Sequence, residues 1–237
     1  MSLNIRTRTQ NVDWASIQKE LDEIGFAKLP SLLTIGECAS FIEFYKQEEL
    51  FRSTVNMERY RFGNGEYKYF LYPLPDPLQQ LRESLYVELA KTANRWAGYL
   101  NQPAQFPDHL QDFLKICESY GQTRPTPLML KYEKGGFNCL HQDLYGDIFF
   151  PFQVVFGLNK RDHDYAGGEF ILVEQIPRAQ SRGHVITLEQ GEALIFPTSY
   201  RPFFGKKGYY KTKIRHGVST VTSGERYGLG IIFHDSK

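Results

Sequence analysis

The sequence predicts an α+β chain: a mainly helical region over residues 1–126 packed on a jelly roll over residues 127–237, the two forming one domain. Three observations carry that expectation. Apolar residues recur at helical spacing in the first half and give way to short β-rich runs after Pro127. Helices do not alternate with those runs, which disfavours a parallel sheet and favours a sandwich or jelly roll. A chain of 237 residues with 41% hydrophobic content also suffices for one sizeable core.

Taken in order, the elements follow from local chemistry. Asp13 caps a segment in which Trp14, Ile17, Leu21 and Ile24 share a face, and Gly25 stops it. Thr34 and Glu37 form a capping-box pair ahead of Cys38, Phe41, Ile42 and Tyr45. Asp76 and Pro77 open a third helix with Leu78, Leu81, Leu85, Leu89 and Trp96 on one side, and a fourth runs from about Asp108 to Tyr120. Ahead of the third helix, "RYRFGNGEYKYFLYPLP" reads in two ways. It is a substrate lid bending at Gly63 and Gly65, with Tyr67, Lys68 and Tyr69 reaching a bound group, or it is an aromatic layer packing helices onto the jelly roll. From Pro127 the runs "PLMLKYE", "FFPFQVVFGL", "GGEFILVEQ", "GHVITLE", "EALIFPT" and "ERYGLGIIF", parted by Gly, Pro, Asp and Ser clusters, are strands.

Composition narrows the function. Cysteines at 38, 117 and 139 lack the close spacing of a disulfide framework or a cysteine zinc site, and suit a reducing compartment. No apolar run is long enough to span a bilayer and the N-terminus lacks a signal-like apolar core, so a soluble, cytoplasmic protein is expected. The net charge of +1 conceals one basic segment, "RPFFGKKGYYKTKIR". Its Lys206, Lys207 and Lys211, interleaved with aromatics, suit the phosphates and bases of single-stranded or damaged nucleic acid; the plainer reading is the solvated face of a strand.

The stretch "CLHQD" places His141 and Asp143 two apart in an extended segment, on one face with Phe137 and Cys139. Of the other histidines, His109 falls in a helix, His163 in a polar loop, His184 at a strand start and His234 at the chain end, which leaves His216 as the third donor. Two imidazoles and one carboxylate leave open positions on an octahedral ion, as in non-haem Fe(II) oxygenases. Arg226, ten residues after His216, shares a strand face with Gly228 and Gly230 and suits a carboxylate, with Tyr132 adding a hydroxyl. The plainer reading makes Arg226 an edge-strand charge and Tyr132 a core aromatic. A jelly-roll module that keeps the metal without catalysis is the alternative from another class.

This pattern, H-x-D, a distal histidine and a basic residue ten positions on, resembles the Fe(II)/2-oxoglutarate-dependent oxygenase superfamily over residues 127–234. "YEKGGFNCLHQD" is similar to the strand-turn-strand of AlkB-type nucleic-acid demethylases, whereas "AGGEF" and "VTSGERYGL" resemble prolyl 4-hydroxylase-type enzymes. The whole chain, including "GEYKYFLYPLP" and "EQIPRAQSR", resembles a bacterial family of such oxygenases assigned to damaged nucleic acid. The resemblance implies a double-stranded β-helix, cupin-like core. It implies Fe(II) on His141, Asp143 and His216, 2-oxoglutarate on Arg226 and Tyr132, and O2 as the oxidant. The implied reaction is hydroxylation, extending to oxidative demethylation of alkylated DNA or RNA bases, with prolyl or other side-chain hydroxylation and small-molecule hydroxylation as alternatives. Leu130 and Ile232 depart from the AlkB-type asparagine and second arginine, and Arg226 stands where prolyl hydroxylases usually carry lysine.

Overall fold

Capping chemistry sets the first three helix starts in the computed structural model, which describes residues 4–237. Helix α1 (Ile5–Gln10) begins at Asn4, whose side chain accepts the Thr7 N–H; without an apolar repeat, this helix has no periodic signal in the sequence. Helix α2 (Trp14–Ile24) is capped by Asp13, which accepts the Ser16 N–H, and stops at Gly25 in the left-handed region with φ 89°. Any side chain at Gly25 would also strike Arg201. Ile17 and Leu21 are buried as expected; Ile24, expected beside them, is 42% exposed because the helix ends there. Helix α3 (Ile35–Phe44) carries both halves of the Thr34–Glu37 capping box. Helices α4 (Asp76–Tyr99) and α5 (Leu110–Ser119) bury the apolar faces that their spacing predicts.

Four strands come from the half expected to be mainly helical: β1 (Ala27–Leu29), β2 (Phe51–Asn56), β3 (Gly63–Asn64) and β4 (Glu66–Phe70). After Pro127 come β5 (Leu128–Tyr132), β6 (Phe137–His141), β7 (Phe152–Gly157), β8 (Tyr165–Gly167), β9 (Phe170–Gln175) and β10 (Arg182–Ile186). The chain continues through β11 (Ala193–Pro197), β12 (Tyr200–Gly205), β13 (Gly208–Val218), β14 (Val221–Gly224) and β15 (Arg226–Ile232). One sheet runs β1-β11-β7-β15-β5-β4-β2 and the other β10-β9-β13-β6-β3, with β12 also on β13 and β14 pairing β8. Every ladder between these strands is antiparallel, the pattern of a jelly roll.

Two cores explain the apolar runs of β7 and β11, broken only by Gln153. Val154, Phe156, Ala193 and Ile195 join the helices on one face of the larger sheet, while Val155, Leu194 and Phe196 meet the smaller sheet on the other. Strands covered on both faces have no polar alternation to display. Each large side chain so buried contributes roughly 1.5–3 kcal/mol. Helix α4 is tied to the sheet by Arg82, which is fully buried. Its guanidinium donates to the Ile232 carbonyl at 3.1 Å, the Phe233 carbonyl at 3.0 Å and the Asp235 carboxylate at 2.8 Å. None of the described helices is long and apolar enough to cross a membrane.

Candidate active site

The site forms where β6 lies beside β13. His141 pairs with His216 and Asn138 with Val218, so β6 spends one more residue than β13 across this interval. Such a bulge breaks the alternation that the sequence suggests. Phe137 is exposed instead of sharing an inward face with His141, and Asn138 lines the cavity in its place. Asp143 follows the end of β6, and the turn, not a shared strand face, carries its carboxylate inward.

His141, Asp143 and His216 each offer one ligand atom, all within 4.8 Å of one another. The His141 Nδ1–H donates to the Cys139 carbonyl at 2.7 Å, which leaves the Nε2 lone pair facing Asp143 at 3.6 Å. His216 Nε2 lies 3.2 Å from Asp143 Oδ2. The other carboxylate oxygen, Oδ1, which is the one facing His141, accepts the Tyr145 hydroxyl at 2.5 Å. Burial alone would raise the Asp143 carboxyl, but the two imidazoles and Tyr145 outweigh it and hold the group well below the usual carboxylate range. Burial and the neighbouring His141 lower His216 despite Asp143, so a neutral imidazole faces an anionic carboxylate. This donor set fits a divalent transition metal with open positions.

Deeper in the same cavity, Arg226 and Tyr132 are direct partners across β15 and β5. The Arg226 Nε and the Tyr132 hydroxyl are buried, and neither has a partner in hydrogen-bonding geometry. Burial chiefly pushes the Tyr132 hydroxyl up to about 12, so it stays a donor. Gly228 leaves room beside the guanidinium, and at Gly168 a Cβ would come within 2.8 Å of Arg226 Cδ. Two unsatisfied donors on apolar walls are matched to an incoming carboxylate. The cavity holds about 320 Å³, within the range of small-ligand sites.

The remaining candidates divide. Tyr67 and Tyr69 line the cavity, whereas Lys68 alternates to the other face of β4, where it is 5% exposed and donates to Glu48 at 2.5 Å. The expected lid is therefore largely fixed structure, since β4 is hydrogen-bonded between β2 and β5. Lys206 and Lys207 sit at the β12–β13 turn, and Lys211 packs over Tyr200 at 4.2 Å; none of the three lines the cavity. Lys211, Lys213 and Arg215 alternate with buried Thr212, Ile214 and His216, so they point away from the interior. Arg201 is buried against Glu174, which removes one more member of the basic aromatic run from solvent, and Tyr209, 41% exposed, has one ring face stacked on Tyr99. Sequence reasoning missed Asn138, Tyr145, Gly168, Arg61 and Phe62. For Tyr145 a signal existed: a hydroxyl two residues after a candidate ligand.

A jelly roll that gathers two imidazoles and a carboxylate beside an unpaired buried arginine defines a class, the metal-dependent oxygenases. Residues 65–236 match the family Oxygenase-NA, described as an oxygenase catalysing oxidative methylation of damaged DNA, and the chain belongs to that family. It is 48% identical over 167 residues to an uncharacterized protein of Mycobacterium tuberculosis, found in strains H37Rv and CDC 1551, a match spanning 70% of this chain and 72% of the relative. Among solved structures it is similar to a Pseudomonas putida prolyl-4-hydroxylase, with TM-score 0.53 and 14% identity over 94% of this chain and 99% of the other. A Burkholderia pseudomallei oxidoreductase of the 2OG-Fe(II) oxygenase family gives TM-score 0.53 and 17% identity, covering 94% and 92%. A Trichoplax adhaerens prolyl hydroxylase gives TM-score 0.55 and 15% identity, covering 98% and 92%. At these identities the likeness is one of fold.

Proposed function

We propose that the protein is an Fe(II)/2-oxoglutarate-dependent oxygenase acting on bases of damaged nucleic acid. His141, Asp143 and His216 hold the iron, and Arg226 with Tyr132 holds the distal carboxylate of 2-oxoglutarate. One observation carries the reading: a cluster of three ligand atoms and two partnerless buried donors share one cavity. A binding module has no use for that second pair.

The chain's own residues prepare the site. The Cys139 carbonyl fixes the His141 tautomer, burial keeps His216 neutral, and the Tyr145 hydroxyl anchors Asp143 through Oδ1 while Oδ2 faces His216. Arg226 supplies charge and Tyr132 a hydroxyl, and Leu130, Val155 and Phe196 keep their surroundings apolar, which strengthens a charged contact. When bound, iron with 2-oxoglutarate and O2 supplies C–H hydroxylation coupled to release of succinate and CO2; on an N-methyl carbon the hydroxylated product loses formaldehyde. Tyr67 and Tyr69 flank the space where the substrate group would enter.

Succinate release is the decisive assay, run with methylated single-stranded DNA and RNA, proline-containing peptides and free amino acids side by side. Stimulation by the methylated strands, dependent on Fe(II), is expected. Stimulation by the proline peptide alone would replace the nucleic-acid reading with side-chain hydroxylation, and iron-independent or absent turnover with every substrate would sink the oxygenase reading.

A further inference from the structure

Five of the large apolar side chains left in solvent sit on the segments that meet at the cavity mouth: Tyr60, Phe62, Phe137, Leu140 and Leu144. They come from the loop before β3 and from β6 with the turn after it. β3 pairs with β6, and the Phe62 carbonyl accepts the Cys139 N–H at 2.8 Å. Phe62, Arg61 and Leu140 also line the cavity, so the patch continues into the site.

The Tyr60 and Phe62 rings are stacked, with centroids 5.6 Å apart and planes within 19°, and they are 58% and 47% exposed. Between them Arg61 adopts φ 59°, the left-handed region, and this reversal lets rings two positions apart lie against each other. Arg59 and Arg61 have no ion-pair partner among the described residues. We infer that this stacked pair with its two flanking arginines is the docking platform for a single-stranded nucleic acid, with the rings taking a neighbouring base and the guanidinia the phosphates.

The occupant follows from geometry and charge. Parallel exposed rings offer a flat π face that accepts any base, and unpaired arginines beside them match a phosphate backbone. An extended peptide would instead add to a sheet edge, and here the edge strand β3 is only two residues long. Continuity with the cavity places a neighbouring base at the entrance, next to Tyr67 and Tyr69. The inference rests on the nucleic-acid reading above and relocates the contact from the β12–β13 hairpin, whose lysines do not line the cavity.

The test uses the full chain with Mn(II) and an inert 2-oxoglutarate analogue. Fluorescence anisotropy follows a labelled single-stranded oligonucleotide with one N-methylated base, in deoxy and ribo forms. Phe62→Ala and Tyr60→Ala should each weaken binding about 5- to 150-fold, the range for one lost base stack, while Tyr60→Phe retains it. Two phosphate contacts give log affinity against log salt a slope of roughly −1.4, which Arg59→Gln with Arg61→Gln should flatten. Neutralising Lys206, Lys207 and Lys211 together should change neither affinity nor slope. Wild-type affinity in Phe62→Ala, absence of strand binding at low salt, or a proline peptide that binds the wild type and is lost in Phe62→Ala would each overturn the inference. Calorimetric binding of 2-oxoglutarate in the presence of Mn(II) separates the two readings. If that binding is intact while the strand fails to bind, the platform falls and the cofactor site stands. Strand binding without 2-oxoglutarate binding keeps the platform and removes the cofactor site.

Discussion

Arg226→Ala removes the buried cation of the proposed 2-oxoglutarate pocket. Arg226 is 4% exposed, its Nε lacks a protein partner, and Tyr132 beside it supplies a hydroxyl without charge. A carboxylate entering this cavity loses its water and, in the variant, gains no counter-charge. Breaking a buried pair in this way costs about 3–5 kcal/mol, or roughly 150-fold to several thousandfold in affinity. Arg226→Lys restores the charge but not the planar fork, so a loss of about tenfold should remain. The assay is saturation of succinate formation by 2-oxoglutarate, with Mn(II) affinity measured by calorimetry as a control. A raised requirement for 2-oxoglutarate with near-normal metal affinity is the expected pair of results. Unchanged dependence on 2-oxoglutarate in Arg226→Ala would falsify the assignment, and an equal fall in metal affinity would show general damage to the site. The same geometry predicts an opposite effect on the ligand-free protein. An unsatisfied buried donor is a stability cost, so Arg226→Met should raise the stability of that state by about 1 kcal/mol in urea denaturation.

Tyr145→Phe should weaken Mn(II) binding about tenfold or more, because the hydroxyl holding Asp143 Oδ1 is lost; unchanged affinity would remove Tyr145 from the support of the metal. Arg82→Met should destabilise the fold by about 3–5 kcal/mol in urea titrations, since Asp235 and two carbonyls lose their donor in the interior. A loss under about 1 kcal/mol would mean that water replaces the guanidinium. His234 is buried with Nδ1 accepting the Phe150 N–H at 3.2 Å, and burial pulls its pKa down to about 3. The unfolded chain binds a proton there below about pH 6.5 and the native state does not, so stability should fall on acidification from that point toward pH 3, by up to about 1.4 kcal/mol per pH unit. His234→Gln should flatten the slope, and parallel curves for the two proteins would exclude His234 as its source.

Features decided within a few residues were legible in the sequence. Asp13, the Thr34–Glu37 box and Gly25 act on backbone groups one turn away, so their roles survive any tertiary arrangement. His141, Asp143, His216 and Arg226 were likewise legible as candidates, because few residue types can serve as metal ligands or carboxylate grips. Tertiary structure decided how they meet. The bulge in β6 depends on its pairing with β13, so alternation alone misplaced Phe137 and overlooked Asn138. The strands β1 and β3 are three and two residues long, and only the neighbours that complete their hydrogen bonds make them strands. Lys68, Arg82 and Arg201 look like surface charges because their carboxylate partners stand 20, 153 and 27 positions away, beyond any local pattern. A charged side chain is stable inside only where the fold delivers its counter-charge, and that delivery is a property of the folded topology rather than of any window of sequence.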